Sequence, residues 1–236
     1  MLKYKAIANK LRDDIQKGVY QPGQQLALEK EMCQQFAVSR ITIKRAVDEL
    51  VKQGLVVKRR GSGTFVKTME GEDVKELSMA NQFLGFAATF AGKEVGTKVL
   101  RFDIDHPTAQ VAEKLHIAPD DFVYQIERVR SIAGEPIVIE YTQMPIQLIP
   151  GIKMGVLETS IYHYIEHDLG LKIQSAHRAV RATMPTERER KELQITGTLP
   201  ILEVSQVAFL DDGRPFEYSV SHHRSDKSTF RSVSVR

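Results

Sequence analysis

Apolar residues recur at helical spacing through the first fifty positions of the chain. The first set lies three or four residues apart and predicts an amphipathic helix that ends at Gly18. Its members are Tyr4, Ile7, Ala8, Leu11 and Ile15. A second, short helix is predicted from about Leu28 to Phe36. Ser39 is a favourable N-cap for a third helix, whose buried face would consist of Ile43, Ala46, Val47 and Leu50.

After Gly54 the pattern becomes extended. Two short apolar runs, residues 55–57 and 64–66, flank the basic segment Lys58-Arg59-Arg60-Gly61-Ser62-Gly63. By itself such a segment is usually a solvated turn, but beside two helices joined by a tight turn it is typical of a wing. The third helix would then present its first residues to the major groove of DNA, and the wing would approach phosphates or the minor groove.

The rest of the chain predicts a mixed domain with an antiparallel sheet and packed helices. Helical segments are expected around Ala109 to Leu115, Ser160 to Asp168 and Glu187 to Leu193. One hairpin is expected from Asp120 to Met144 with its turn at Gly134, and another from Ile201 to His222 with its turn at residues 211–213. The predicted fold class is therefore α+β, with a polar linker over residues 70–78.

The two hairpins resemble each other, because each has Gly-x-Pro after its turn and then a glutamate, Glu140 or Glu217. Arg128 and Arg130 are two residues apart on a strand, so both side chains project from one face and could clamp an anion. A helix that begins near Ser160 would add a hydroxyl group. The alternative is that these four charges lie on a solvated sheet face and pair with one another.

Charge is divided unequally along the chain. Residues 1–69 hold 14 Lys and Arg against 6 Asp and Glu, a net charge of +8, so the remainder carries −5 of the total of +3. Only the basic part is expected to meet a polyanion. Apolar stretches are far shorter than the roughly 20 residues that a membrane span requires, and no signal peptide is recognisable, so we expect a cytoplasmic protein.

Residues 4–66 resemble the DNA-binding domain of the GntR family of bacterial regulators. The matching segments are Ile15-Gln16-Lys17-Gly18, Pro22-Gly23, Val38-Ser39-Arg40-Ile41-Thr42, Ala46, Leu50, Gly54-Leu55 and Gly61-Ser62-Gly63-Thr64-Phe65-Val66. The resemblance implies major-groove contacts from Lys30, Ser39, Arg40, Thr42 and Lys44, and minor-groove contacts from Arg60 and Gly61. Lys30 and Lys44 replace arginines that are common in the family, so these contacts would be made by point charges and would not be bidentate.

The family also usually has Pro-Ser where this chain has Ala27-Leu28, so the N-cap of the second helix is expected to be missing or moved.

Residues from about 77 to 235 resemble the effector-binding UTRA domain of the HutC subfamily, whose fold is similar to that of chorismate lyase. The matching features are Arg128-Val129-Arg130, Pro136 with Glu140, Ser160-Ile161-Tyr162, Pro200-Ile201-Leu202 and Pro215-Phe216-Glu217-Tyr218. The resemblance implies that Arg128, Arg130 and Ser160 hold the phosphate of a sugar phosphate, with Glu140, Tyr162, Glu217 and His223 around the sugar. The chain departs from the subfamily at residues 80–84, where Ala-Asn-Gln-Phe-Leu replaces a Gly-hydrophobic-Thr-Ser-aromatic loop. Residues 148–152 and 216–227 are most similar to repressors of glucomannan and β-glucoside utilisation, which implies a phosphorylated β-linked disaccharide or a 6-phospho-sugar as inducer.

These observations predict a transcription regulator of three parts. Residues 1–69 would form the winged helix-turn-helix, residues 70–78 the linker, and residues 79–236 the effector-binding and dimerisation domain. We expect a homodimer on palindromic double-stranded operator DNA, acting as a repressor of a carbohydrate-utilisation operon, with no cofactor and no metal. One alternative is a regulator that senses a non-sugar anion, such as an amino-acid breakdown product or a phosphonate.

The other alternative is an enzyme of the lyase-like fold. His163 and His167 have the i, i+4 spacing of a metal pair, and His222-His223 adds two imidazoles. No further ligand pattern, phosphate loop or nucleophile motif accompanies them. The histidines are therefore interpreted as helix-surface or pocket residues, and no catalytic residue is predicted.

Overall fold

Three helices and a two-stranded hairpin form in the N-terminal part of the chain. The computed structural model describes residues 3–68, 85–90 and 92–230. These residues belong to two compact units, the first comprising residues 3–68 and Phe230 and the second lying within residues 85–229. The elements of the first unit are α1 (Lys3–Gln16), α2 (Glu29–Phe36), α3 (Arg40–Lys52), β1 (Val56–Arg59) and β2 (Gly63–Val66).

The predicted apolar stripes form the core of this unit. The buried residues of α1 are Ile7, Ala8, Leu11 and Ile15, and those of α3 are Ile43, Ala46, Val47 and Leu50. The Ser39 hydroxyl accepts a hydrogen bond from the Thr42 amide at 3.4 Å, as expected of an N-cap. Leu28 stands at the N-cap of α2 and has no side-chain cap, but Glu31 accepts the Leu28 amide at 2.8 Å. Half of a capping box therefore remains, which limits the cost of losing the cap.

The second unit alternates long strands with short helices. Its helices are α4 (Phe86–Thr89), α5 (Ala109–Leu115), α6 (Met154–Glu158), α7 (Ile161–His163) and α8 (Glu187–Glu192). A π-helical turn, Tyr164–Asp168, continues α7. Its strands are β3 (Val95–Asp105), β4 (Val123–Ile132), β5 (Glu135–Pro145), β6 (Ile173–Thr183), β7 (Ile201–Leu210) and β8 (Pro215–Arg224).

The strands form one antiparallel six-stranded sheet in the order β3-β4-β5-β8-β7-β6. The two predicted hairpins are β4–β5 and β7–β8, and they meet at the centre of the sheet through β5 and β8. Ala133 and Gly134 both have positive φ, 49° and 79°, which is the conformation of a two-residue hairpin turn with the right twist. The pattern placed the start of β4 at Asp120, three residues early, and did not predict α4 or α6.

Each face of the sheet is covered by different helices. The face that carries Arg128 and Glu140, here called the first face, packs against α6, α7 and the π-helical turn through Leu157, Ile161 and Ile165. On the second face, Leu193 and Ile195 after α8 pack on Val129 and Ile139. No helix within the described ranges is long and apolar enough to cross a membrane.

Candidate functional site

The predicted DNA contacts of the first unit lie on its surface. Lys30, Ser39, Arg40, Lys44 and Arg60 are exposed, and Thr42 is half-buried where its hydroxyl meets that of Ser39 at 3.0 Å. The ion pairs recorded in this unit join Lys10 with Asp14 and Lys58 with Asp48, so none of them uses a predicted contact residue. Over the described residues, the four predicted cations are thus available for phosphates or bases.

The wing is built around glycine. Gly61 has φ of +75° and is exposed at the tip, a conformation that side chains rarely adopt. Arg59 lies 4.7 Å from the centre of the Phe65 ring, which leaves Arg60 as the outward-pointing cation of the tip. Ile41 is 68 % exposed at the start of α3, an unusual position for an isoleucine. Such an apolar group beside polar contacts fits the methyl group of thymine, a role that the sequence pattern did not assign.

Arg128 and Arg130 are both buried on the first face of the sheet, 6 % and 2 % exposed. The Arg128 guanidinium donates to Glu140 at 2.7 Å and to the Leu157 carbonyl at 3.0 Å. Arg130 lies 4.9 Å from the centre of the Phe86 ring, and its burial lowers its pKa. The Nε atoms of both arginines are buried and have no hydrogen-bond partner in the described part of the chain. Buried donors of this kind are costly unless an acceptor fills the space beside them.

Glu217 forms the second polar cluster on the first face. It is 4 % exposed, and its Oε1 accepts hydrogen bonds from Ser219 at 2.8 Å, Gln206 at 2.9 Å and Tyr162 at 3.2 Å. Burial raises the pKa of Glu217, and the charge of Glu140 acts in the same direction. Burial, together with the charge of Glu217, also raises the pKa of Tyr162 well above its usual value. A buried carboxyl with a raised pKa is typical of a binding site and not of a solvated sheet.

Glu140 and His223 complete the polar part of the first face. Glu140 lies opposite Arg128 on β4 and opposite Ser221 on β8, and His223 is two positions further along β8. Burial lowers the pKa of His223 to about 4, although the charge of Glu140 partly offsets the effect. The imidazole is therefore neutral near pH 7 and has both a donor and an acceptor nitrogen.

Tyr162 reaches the first face from α7, where its hydroxyl meets Glu217, and Ser160 is the N-cap of that helix. The Ser160 hydroxyl accepts the His163 amide at 3.2 Å, and its own proton remains free to donate. Gly85 lies against Tyr162, because a Cβ built on this glycine would be 3.5 Å from the tyrosine Cβ. The predicted loop at residues 80–84 and the predicted linker at residues 70–78 lie outside the described residues.

The alternative of a solvated sheet face is wrong, because Arg128, Arg130 and Glu217 are buried. The pairing of charges that the same alternative predicted is present in one case, since Arg128 forms an ion pair with Glu140. Sequence reasoning missed Phe86, Gln206 and Ser219, which touch the predicted residues. Ser219 could have been found, since it is two positions after Glu217 on the same strand, but Gln206 and Phe86 carry no sequence signal of their own.

The histidines considered as metal ligands do not assemble a metal site. His163 and His167 are exposed and stack with their ring centres 4.3 Å apart. In the described ranges, no group of three or more His, Cys, Asp or Glu residues is arranged to hold a metal ion.

Comparison with known proteins identifies a matching family model for each of the two units. Residues 3–66 match the family model for bacterial regulatory proteins of the gntR family, and residues 91–229 match that for the UTRA domain. The chain is 42 % identical over 236 residues to the HTH-type transcriptional regulator GmuR of Bacillus subtilis, covering 100 % of both chains. It is 33 % identical to the mannosyl-D-glycerate transport/metabolism system repressor MngR of Escherichia coli, covering 99 % of this chain and 96 % of MngR. The crystal structure of the possible transcriptional regulator YydK from B. subtilis superposes with a TM-score of 0.79 at 28 % identity and covers 100 % of both chains.

Proposed function

Because this chain belongs to the GntR family of transcription regulators and carries a UTRA domain, we propose that it represses a carbohydrate-utilisation operon and that a phosphorylated sugar releases it from a palindromic operator. The family consists of regulators, so the chain is a DNA-binding protein and not an enzyme. The domains would be residues 1–69, 70–78 and 79–236, as the sequence predicts. A regulator of this kind works beside the chromosome, in the cytoplasm.

The two unfilled guanidinium donors carry the proposal of an anionic effector. Arg128 and Arg130 are buried next to each other on one strand face, and each has an Nε without a partner among the described residues. A phosphate group offers acceptors to both at once, and it would offset the cost of burying two cations. Ser160 would add a third donor.

The polar cluster beyond the arginines supports a sugar as the rest of the ligand. Glu140, Glu217 and His223 offer carboxyl and imidazole groups on the same face, and the Tyr162 hydroxyl meets Glu217 there. Such groups suit hydroxyl recognition because each can accept or donate one well-directed hydrogen bond. A relative named for the transport and metabolism of mannosyl-D-glycerate is consistent with a carbohydrate ligand.

The edge strand β6 supports a homodimer formed by the second unit. β6 pairs only with β7 in the described sheet, and all eleven of its residues are half-buried or exposed. Val180 is 37 % exposed on this strand, and Met184 just after it is 50 % exposed. A long exposed edge is usually covered, and a second copy would bring two DNA-binding units to the two halves of a palindrome. Light scattering should report a dimer, and Val180→Lys should shift it towards monomer.

Release follows from coupling between the two sites. If effector weakens operator binding by a given factor, operator must weaken effector binding by the same factor, with a coupling typically of about 1–3 kcal/mol.

The first experiment measures Tm of the full chain in the presence of glucose 6-phosphate, mannose 6-phosphate or cellobiose 6-phosphate. A ligand at 100 times its Kd stabilises the protein by about 2.7 kcal/mol. The hit is then added to a complex of protein and operator fragment, and unchanged operator affinity would refute the sensing role.

A non-sugar anion is the second candidate, because Arg128 and Arg130 would hold any phosphate or phosphonate. Substituting Glu140 or Glu217 by Gln separates the two candidates. A sugar sensor should lose affinity in both variants, whereas a sensor of a simple anion should lose affinity in neither.

A further inference from the structure

Glu217 is bound asymmetrically. Three donors, the hydroxyl groups of Ser219 and Tyr162 and the amide of Gln206, converge on Oε1 within 3.2 Å. Oε2 takes no hydrogen bond from any residue that the structure describes. Only Oε2 is therefore left to meet a ligand hydroxyl, and its direction depends on what holds Oε1.

Gln206 is the residue whose orientation is fixed from outside the cluster. Its Nε2 donates to Glu217 at 2.9 Å and to the Tyr162 hydroxyl at 3.1 Å, while its Oε1 accepts from Arg178 Nε at 2.7 Å. A guanidinium can only donate, so a rotated amide would place NH2 against NH. Arg178, on the exposed edge strand β6, thus pins the amide donors towards Glu217 and Tyr162.

We infer that Gln206 is a positioning residue of the effector site: it holds Glu217 Oε1 and the Tyr162 hydroxyl in place so that Glu217 Oε2 faces the sugar, and Arg178 sets its orientation. The inference rests on the proposed function for the identity of the ligand, but the contact itself is present without ligand. Ser219 is a lesser aid, since its hydroxyl can rotate whereas the doubly bound amide cannot. Gln206 thus links Arg178 on the edge strand β6 to Glu217 and Tyr162.

The first arm of the test needs no ligand. It measures Tm of the full chain for Gln206→Glu at pH 8 and pH 5.5, in the wild-type background and with Glu217→Gln. At pH 8 the new carboxyl faces the Glu217 carboxyl, so Tm should fall, and it should recover at pH 5.5 when one of them holds a proton. The other charged and titratable groups around this contact are common to all variants: Arg128 and Arg130 on β4, Glu140 on β5, Tyr162 on α7, Arg178 on β6 and His223 on β8. In the Glu217→Gln background the pH-dependent part of the loss should disappear.

The second arm uses glucose 6-phosphate and inorganic phosphate as probes. Gln206→Leu should weaken glucose 6-phosphate by roughly ten- to hundredfold, the effect of losing a hydrogen bond to a charged group, and should leave inorganic phosphate unchanged. Gln206→Glu should regain affinity for the sugar phosphate as pH falls, which a purely structural role would not produce. Arg178→Met, at an exposed position, should give a smaller loss of affinity for glucose 6-phosphate. This variant replaces the Gln206 variants in the test if they do not fold.

A matched control is Gln125→Glu, on the opposite face of the same sheet, where Gln125 accepts from Gln143 at 2.8 Å. It should show neither the dependence on Glu217 nor the selective loss of sugar phosphate. If Gln206→Glu lowers Tm equally with and without Glu217, the positioning inference is overturned. If wild-type protein binds inorganic phosphate but not glucose 6-phosphate or the other sugar phosphates, the sugar proposal fails, and the Tm arm still decides the role of Gln206.

Discussion

His222 and His223 are consecutive residues of β8, and they lie on opposite faces of the sheet in opposite chemical surroundings. His223 is on the first face, where burial lowers its pKa to about 4. His222 is on the second face, where Nδ1 is hydrogen-bonded to Glu189 and Nε2 to Glu203 at 3.2 Å. Both ring nitrogens of His222 therefore contact carboxylates. One strand therefore carries a neutral histidine on the first face and, on the second, a histidine held between two carboxylates.

His223 should make the protein less stable in mild acid. Its pKa is about 4 in the folded state and about 6.5 when unfolded, so the unfolded chain takes up the proton first as pH falls below 6.5. The stability lost between pH 6.5 and pH 4 should reach up to about 3 kcal/mol. Urea unfolding from pH 4.5 to 7.5 should show that His223→Gln gains on the wild type as pH falls, while His163→Gln, at an exposed position, does not. A constant difference across this range would contradict the lowered pKa.

Replacing His222 by Leu should strongly destabilise the second unit. Glu189 is 3 % exposed, and although burial acts to raise its pKa, hydrogen bonds from Thr186, His222 and Tyr141 lower it. Without His222 the buried carboxylate keeps its bonds to Thr186 and Tyr141 but loses one hydrogen-bond partner, which typically costs about 1–3 kcal/mol. Urea unfolding at pH 7 measures the loss. His167→Leu is the control, and its free energy of unfolding is expected to stay within about 0.5 kcal/mol of the wild-type value. A similarly small change for His222→Leu would mean that the bonds from His222 to Glu189 and Glu203 contribute nothing to stability.

The two pocket arginines should respond differently to replacement by Met. Arg128 pairs with Glu140 at 2.7 Å, so Arg128→Met leaves a half-buried carboxylate alone and should cost about 3 kcal/mol. Arg130 has no ion pair among the described residues and lies over Phe86, so Arg130→Met should leave the ligand-free Tm unchanged or higher.

If the arginines form an anion site, inorganic phosphate should raise the Tm of the wild type, and both variants should lose this rise. Arg101→Met is the control, because Arg101 is exposed and pairs with Asp103 at 2.9 Å. Protection of Arg130→Met by phosphate at wild-type concentrations would remove Arg130 from the anion site.

The predicted DNA contacts should appear in the salt dependence of binding. Arg40→Ala and Lys44→Ala should each reduce the slope of log K against log salt by about 1 on a duplex of random sequence, because each removes one phosphate contact. Lys58 is already paired with Asp48 at 2.6 Å, so Lys58→Ala should reduce the slope by less. Fluorescence anisotropy between 50 and 200 mM salt measures the slopes, and equal slopes for all three variants would argue against this contact surface.

Residue patterns were sufficient for features with a short range along the chain. The stripe of α3 and the cap at Ser39 depend on neighbours within one or two turns, so their periodicity predicts them. Arg128 and Arg130 share a strand face because side chains alternate along any strand. The short helices α4 and α6 were missed, because four or five residues carry too little periodicity to stand out. The start of β4 was placed three residues early.

The sequence by itself determined the two kinds of domain, the alternation of each strand and the residue types on each face. Only the tertiary structure decided which of those residues are buried and which meet, because pairing of β5 with β8 joins segments about eighty residues apart and removes water from both. That burial converts Glu217 and His223 from ordinary surface groups into groups with shifted pKa, and it leaves two guanidinium donors unfilled. Gln206 acquires its contacts in the same way, since its three partners Arg178, Glu217 and Tyr162 come from β6, β8 and the segment after Ser160.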